Sequence, residues 1–325
     1  MIVESLGLII LGLVVLVVGG ETLLRGAVGI ANLARLTPAI IGLTVVAIGT
    51  SIPELAVSVV AAAQQKVDIT VGNVVGSNIF NIAFVLGISA LVRPLVLTGN
   101  TIRLEYPVLA IVTLLCVAVC QHQEVNRLDA ITFVAIYIGF TAYLVILVRE
   151  QMSRSESSQF AAEAKDISES SPKPKIWVCL LFLAIGVGCL TLGAHFTVNG
   201  AVKIGRIFGM SERLIGLTIV AIGTGLPEVV TSIVSCIRGR DDVAIGNIIG
   251  SNLFNILGVM GITGLISPLP INAEIVQSDR WWMLGITLLL LPIMRSRMRI
   301  GRIEGGILLA SYGVYMWMLL RTIKS

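Results

Sequence analysis

A glutamate placed directly after a proline, deep inside an apolar run, is the feature that most restricts this chain. Ala47-Ile48-Gly49-Thr50-Ser51-Ile52-Pro53-Glu54 interrupts the run from Ile40 to Ala63. Pro53 has no N–H to give the carbonyl four residues back, and it pushes Ile52 away from α geometry. Backbone groups freed in this way cannot face lipid, so the segment must face protein, water or an ion. Glu54 lies about 13–14 residues into a run of which about 20 residues cross a bilayer, which puts it near the midplane. An ionised acid there costs roughly 2.5–3.5 kcal/mol on insertion scales. A nearby cation is the simplest compensation.

The interruption occurs twice. Ala221-Ile222-Gly223-Thr224-Gly225-Leu226-Pro227-Glu228 repeats it 174 residues on (54 to 228). Aligned without a gap, Ile41–Pro94 and Ile215–Pro268 agree at about half their positions. The agreement includes a second polar block, Gly72-Asn73-Val74-Val75-Gly76-Ser77-Asn78-Ile79-Phe80-Asn81, against Gly246-Asn247-Ile248-Ile249-Gly250-Ser251-Asn252-Leu253-Phe254-Asn255. The chain is an internal duplication.

With 56% hydrophobic and 13% charged residues, the 325-residue chain reads as an all-α integral membrane protein. Its net charge of +4 carries no nucleic-acid signal, because the basic residues sit between apolar runs. Cys116, Cys120, Cys179, Cys189 and Cys236 lie in or beside those runs without metal-type spacing and read as free thiols. The first apolar run lacks a basic leader and a cleavage site, and is expected to be retained as a helix.

Polar and turn residues divide the chain into ten expected spans. Residues 1–148 form the first five-helix repeat, 149–175 a Ser/Glu/Lys-rich linker, and 176–325 the second repeat. Arg127-Leu128-Asp129 recurs as Arg302-Ile303-Glu304, so the duplication extends over all five spans. An odd number of spans per half makes the second repeat enter the membrane upside down. Arg93, Arg103, Arg238, Arg240 and the cluster Arg295–Arg302 fall in odd-numbered loops, against Lys66, Arg127, Lys203, Arg206 and Arg213 in even ones. The positive-inside rule then makes the odd loops and the linker cytoplasmic and puts both termini outside, in a multi-pass cell (inner) membrane protein.

Paired, Gly/Pro-interrupted segments at matching places point to a transport site near the midplane. Thr50 and Glu54 share a helix face, as do Thr224 and Glu228, Ser77 and Asn81, and Ser251 and Asn255. With carbonyls freed near Ala47 and Ala221, they supply two carboxylates, two amides and several hydroxyls. All are hard oxygen donors, which suits Ca²⁺ or Na⁺ and disfavours zinc or copper. Asn and Ser in membrane spans are often interhelical glue, but Asn81, Asn255, Ser77 and Ser251 read here as ligands, and Asn73 and Asn247 stand open between that role and helix packing or gating. Gly72, Gly76, Gly246 and Gly250 are expected to allow close helix contact. Asp68 and Asp242 also match, but at span ends. Glu105 and Asp279 match as membrane-edge acids, and Glu21 can pair with Arg25 one turn away. One Ca²⁺, two monovalent ions or two protons would each neutralise Glu54 and Glu228. A site that crosses only when neutral exchanges these ions instead of leaking them. Nothing resembles a nucleophile–base pair, so an enzyme is not expected, and no resident cofactor or obligate protein partner is called for.

The paired Thr-x-x-Pro-Glu and Gly-Asn-x-x-Gly-Ser-Asn-x-Phe-Asn blocks resemble the α-repeats of the calcium/cation antiporter superfamily, in its prokaryotic sodium/calcium exchanger branch. The resemblance covers essentially the whole chain. It implies ten helices with ion sites where the second, third, seventh and eighth meet, and alternating access by sliding of the first and sixth. It implies ligands at Thr50, Ser51, Glu54, Ser77, Asn81, Thr224, Glu228, Ser251 and Asn255, with carbonyls from Ala47 and Ala221. Two departures stand out. Gly225 replaces the hydroxyl of Ser51, and Asn255 stands where the family often has Asp. The second leaves the sodium stoichiometry open, with Ca²⁺/H⁺ exchange as the alternative to Ca²⁺/Na⁺ exchange and a cation channel further off. The 27-residue linker (149–175) has no room for a large regulatory insert.

Overall fold

A computed structural model describes residues 2–34, 36–63, 68–151, 175–209 and 221–324. The linker from 152 to 174 and the first part of the expected seventh span lie outside the described residues. The described residues are mainly helical: α1 Ile2–Ala34, α2 Pro38–Thr50, α3 Ile52–Ala63, α4 Thr70–Val92, α5 Thr101–His122 and α6 Arg127–Leu144 in the first half. The second half contains α7 Ile176–Ile207, a single turn Ala221–Thr224, α8 Leu226–Ile237, α9 Asp241–Ile266, α10 Arg280–Arg297 and α11 Arg302–Arg321. Among the described residues seven helices are long and apolar enough to cross a bilayer, or eight with α2 and α3 counted as one span bent by 46°. α8 is short, and α10 carries Arg280, Arg295 and Arg297 at its ends.

The helices are sorted by burial. The apolar windows of α4 and α9 are 72% and 89% buried, whereas those of α1, α6, α7 and α11 reach only 17–22%. The helices that carry the two Gly-Asn-x-x-Gly-Ser-Asn blocks therefore occupy the centre, and α1, α6, α7 and α11 form the lipid-facing shell. This inverts the water-soluble pattern, because lipid accepts apolar side chains and rejects unpaired polar ones.

Small residues set the helix distances. Gly12, Gly19 and Gly26 repeat every seventh residue on α1 and face Gly193, Leu190 and Cys179 of α7 in antiparallel order. A Cβ at Gly19 would stand 2.8 Å from the Leu190 amide nitrogen, and one at Gly26 2.8 Å from the Cys179 carbonyl oxygen. On the central helix, Gly246 and Gly250 lie against the backbone of Ala39 and Leu43, and Gly42 against Val243. The expected role of Gly246 and Gly250 in close packing is seen. For Gly72 and Gly76 it is not seen among the described residues, since a Cβ would meet only Ile275 at 3.9 Å and nothing, respectively. The segment that the repeat would place opposite them, 213–217, lies outside the described residues.

Contacts between the halves are reciprocal. β1 (Leu95–Val96) pairs with β4 (Arg299–Ile300), and β2 (Glu124–Val125) pairs with β3 (Leu269–Pro270), both antiparallel. The Val96 amide donates to Asp241 Oδ2 at 3.2 Å, so the end of α4 meets the start of α9. Tyr106 donates to the Thr287 carbonyl and Arg280 to that of Val117, which runs α5 antiparallel to α10. Tyr312 of α11 lies edge-on to Phe80 of α4, while Tyr137 of α6 packs against Phe254 of α9. In the strand pairs and the Tyr–Phe contacts each half thus uses equivalent positions to hold the other, as in an isologous dimer.

Candidate cation-binding site

The site forms where the two Pro-Glu breaks meet α4 and α9. At both breaks the residue before the new helix leaves α geometry without strain, Ser51 at φ −89°, ψ 10° and Gly225 at φ −84°, ψ 1°. The glycine is therefore not required by its backbone. Its reason is steric: a Cβ on Gly225 would run into the Phe80 ring, whose Cδ1 lies 2.7 Å away. Phe80 is stacked on Phe84 (centroids 4.9 Å apart) and held by Tyr312, so it cannot swing aside freely. The first departure from the repeat is thus a packing consequence of the aromatic cluster.

Ser51 reaches across the pseudo-symmetry. Its hydroxyl donates to Glu228 Oε1 at 2.9 Å, a charge-assisted bond when the acid is ionised. Glu228 Oε2 and Glu54 Oε2 are buried without partners among the described residues, in side chains 1% and 2% exposed. Ser51 precedes Glu54 by three residues, so this bond brings Glu228 to the first break. Ionised acids buried together in this way need a countercharge, because each alone would cost several kcal/mol.

Hydroxyls and amides surround them. Thr50 Oγ1 lies 3.1 Å from Asn247 Oδ1, 3.3 Å from the Ala47 carbonyl and 3.4 Å from Ser251 Oγ. Asn247 in turn donates to Ser232 Oγ at 3.2 Å, which orients its amide oxygen towards Thr50. The mirror-related Asn73 donates to Ser58 Oγ at 3.0 Å and to the Glu54 carbonyl at 3.3 Å. Asn81 and Asn255 are each the second residue of a π-helical stretch, Phe80–Val85 and Phe254–Val259. Such wide turns are rare and cluster at functional sites. Neither the Oδ1 nor the Nδ2 of Asn255 has a partner among the described residues, although the side chain is 1% exposed. An amide in that position is costly unless a ligand serves its oxygen.

The sequence candidates thus separate into groups. Thr50, Ser51, Ser251 and Glu228 are joined by direct contacts, and Glu54, Asn81 and Asn255 are buried beside the same helix breaks. Ser77 and Thr224 are half-buried, and among the described residues no hydrogen bond draws Ser77 into the cluster. The Ala47 carbonyl is not freed, since it accepts the Ser51 N–H at 3.1 Å within the helix ladder. The carbonyl that Pro53 leaves without an α-helical N–H is that of Gly49, four residues back. Ala221 belongs to the turn that opens the second break. Asn247 joins the cluster directly, and Ser58 and Ser232 were missed. They carry a readable signal, identical residues four positions after each glutamate. Among the described residues no three His, Cys, Asp or Glu side chains come together. The donor set is two carboxylates with neutral oxygens, which fits hard cations.

Glu21 accepts from Arg25 at 3.0 Å, as its spacing suggested, and also from Arg238 at 2.9 Å, tying α1 to the end of α8.

The family model for sodium/calcium exchanger protein matches residues 4–146 and 178–321. A relative named as the antiporter CaxA, from Alkalimonas amylolytica, is 40% identical over 96% of this chain and 97% of its own length. Inner membrane protein YrbG of Escherichia coli is 33% identical over 96% and 95%. The solved structure of the sodium-calcium exchanger NCX_Mj, soaked with zero Na⁺ and Ca²⁺, superposes with a TM-score of 0.82 at 28% identity, covering 98% of this chain and all of the other. With its duplicated breaks, reciprocal helix contacts and buried pair of glutamates, this multi-pass membrane chain belongs to the sodium/calcium exchanger family.

Proposed function

We propose that the chain is a secondary antiporter that exports Ca²⁺ in exchange for Na⁺ through one site at the bilayer midplane. The observation that carries this reading is the pair Glu54 and Glu228, each with a buried, unpartnered oxygen, ringed by Thr50, Ser51, Ser251, Asn81 and Asn255. Their combined charge of two matches one Ca²⁺ or two Na⁺, so either cargo neutralises the site and the empty site does not cross. The family membership and the relatives' names as antiporter and sodium-calcium exchanger support it.

The architecture in this reading is ten spans in two inverted repeats, with 1–148 and 176–325 as the halves and 149–175 between them. The antiparallel crossings of α1 with α7, α4 with α9 and α5 with α10 support the inversion. Both halves contribute to one site, so a single chain is the transport unit. The arginines of Arg295–Arg302 favour an orientation with that loop in the cytoplasm and both termini outside.

Alternating access is supported by an asymmetry between equivalent surfaces. α1 covers α8, where Gly20 lies against Val230 and Thr231 is fully buried. The matching Val57 on α3 is 41% exposed and Val60 54% exposed. Both breaks are themselves buried, with Gly49 against Val187 of α7 and Thr50, Ser51 and Glu54 at most 2% exposed, but α8 is covered and α3 is not, as one end-state of a two-state carrier would be.

The test is ⁴⁵Ca²⁺ uptake into proteoliposomes under an outward Na⁺ gradient and, separately, an outward H⁺ gradient. Uptake with Na⁺ alone is expected. Uptake with H⁺ alone would replace this reading by Ca²⁺/H⁺ exchange, which Asn255 in place of an acid favours by leaving only two carboxylates. Uptake needing neither gradient would indicate a channel.

A further inference from the structure

α8 wears its polarity on the buried side. Glu228, Thr231, Ser232 and Ser235 fall within one arc of about 100° on the helix, and all are 0–1% exposed, while Ile237 on the other side is 65% exposed. The arc faces Phe80–Val92 of α4 and the first half of α9. Ser232 is used by Asn247, but Thr231 Oγ1 and Ser235 Oγ have no hydrogen-bond partner among the described residues.

This is unusual within the same molecule. Buried Thr44, Thr113, Thr263 and Thr287 all return their hydroxyls to the carbonyl four residues back. Thr231 and Ser235 do not take that local option. The row continues beyond them. Ser89 Oγ on α4, also fully buried and without a hydrogen-bond partner among the described residues, lies beside Cys236. Asp241 follows at the start of α9, where Oδ2 accepts from the Val96 amide and Oδ1 pairs with Arg93 Nε at 3.9 Å. From Glu228 to Ser235 the helix rises about 10 Å, and Asp241 stands at the mouth beside Arg93, Arg238 and Arg240.

The first repeat has no such row. Val57, Ala61 and Thr263 occupy the positions equivalent to Thr231, Ser235 and Ser89, and Thr263 is internally bonded. Repeat symmetry and helix packing therefore do not explain the hydroxyls.

We propose that Thr231, Ser235 and Ser89 line a hydrated cation path of the second repeat, leading from Asp241 at the arginine-rich face to Glu228. Orphaned hydroxyls one to two turns apart hold water in single file, and water with hydroxyl oxygens replaces part of a cation's hydration shell as it moves. The path rests on the antiport site proposed above and assigns it an entrance between α4, α8 and α9, on the side that α1 closes.

The test replaces the two α8 hydroxyls by the residues of the first repeat, Thr231→Val with Ser235→Ala. Apparent melting temperature, equilibrium Ca²⁺ binding in detergent and ⁴⁵Ca²⁺ exchange in proteoliposomes are measured on the full chain. We expect a higher melting temperature, because two unpaired buried hydroxyls are removed. Ca²⁺ affinity should stay within about twofold, and exchange should slow at least about tenfold. The companion variant Thr231→Ser with Ser235→Thr keeps both hydroxyls and should keep the rate. Exchange within about twofold of the parent, or a lower melting temperature showing that the hydroxyls had protein partners, would overturn the path. Loss of Ca²⁺ binding in the parent protein would instead overturn the site at Glu54 and Glu228.

Discussion

Substituting Gly250 by alanine probes how tightly the site depends on one helix contact. The added Cβ would stand 2.7 Å from both the Leu43 carbonyl carbon and the Ala47 Cβ, and still closer to the Leu43 oxygen. None of these atoms is the end of a rotatable side chain. Ordinary contact begins near 3.4 Å, so α9 and α2 must separate by about 0.7–1 Å. Ser251 adjoins Gly250, and Thr50 follows Ala47 by one turn. The same separation stretches Thr50–Asn247 from 3.1 Å and Thr50–Ser251 from 3.4 Å to about 4 Å, beyond hydrogen bonding. Overpacking costs about 1–3 kcal/mol and a lost buried bond about 1 kcal/mol, giving a destabilisation of about 2–4 kcal/mol. A ligand displacement of that size lowers ion exchange by about 100-fold. Thermal unfolding in detergent and ⁴⁵Ca²⁺ uptake measure the two effects. Gly139→Ala on α6, where a Cβ meets nothing within 4 Å, is the control and should change neither. If Gly250→Ala exchanges Ca²⁺ at the parent rate, the close α2–α9 contact is not what positions Thr50 and Ser251.

Other expectations follow from the same geometry. Glu54→Gln and Glu228→Gln should each abolish exchange while the protein still elutes and melts as a folded species; full activity in either would remove that residue from the site. Gly225→Ser should impair exchange by colliding with Phe80, and Phe80→Leu should recover at least part of it. Failure of the double variant to improve on the single one would show that another neighbour excludes the side chain. Glu21→Gln breaks the links to Arg25 and Arg238, whose side chains are 66% and 58% exposed, so the melting temperature should hardly move. A large fall in thermal stability would mean that this partly exposed contact is structural.

The duplication, the membrane class, the two helix breaks and both glutamates were legible in the sequence. Each depends on local chemistry: apolar run length against bilayer thickness, the missing N–H of Pro53 and Pro227, and the cost of a carboxylate in hydrocarbon. Spacing also put Thr50 with Glu54 and Ser251 with Asn255, because helical periodicity is local. The pairing of residues from different halves was not legible. Only the fold brings Ser51 to Glu228, Thr50 to Asn247, and the Phe80 ring into the space where Gly225 carries no side chain. The π-helical turns at Asn81 and Asn255 have no sequence period to announce them. The sequence counts both repeats as equivalents; the tertiary structure distinguishes them, because α1 packs along α8 while its counterpart α7 leaves Val57 and Val60 of α3 exposed. Periodicity records what each helix buries, and the choice of partner is decided by packing that the linear chain does not encode locally.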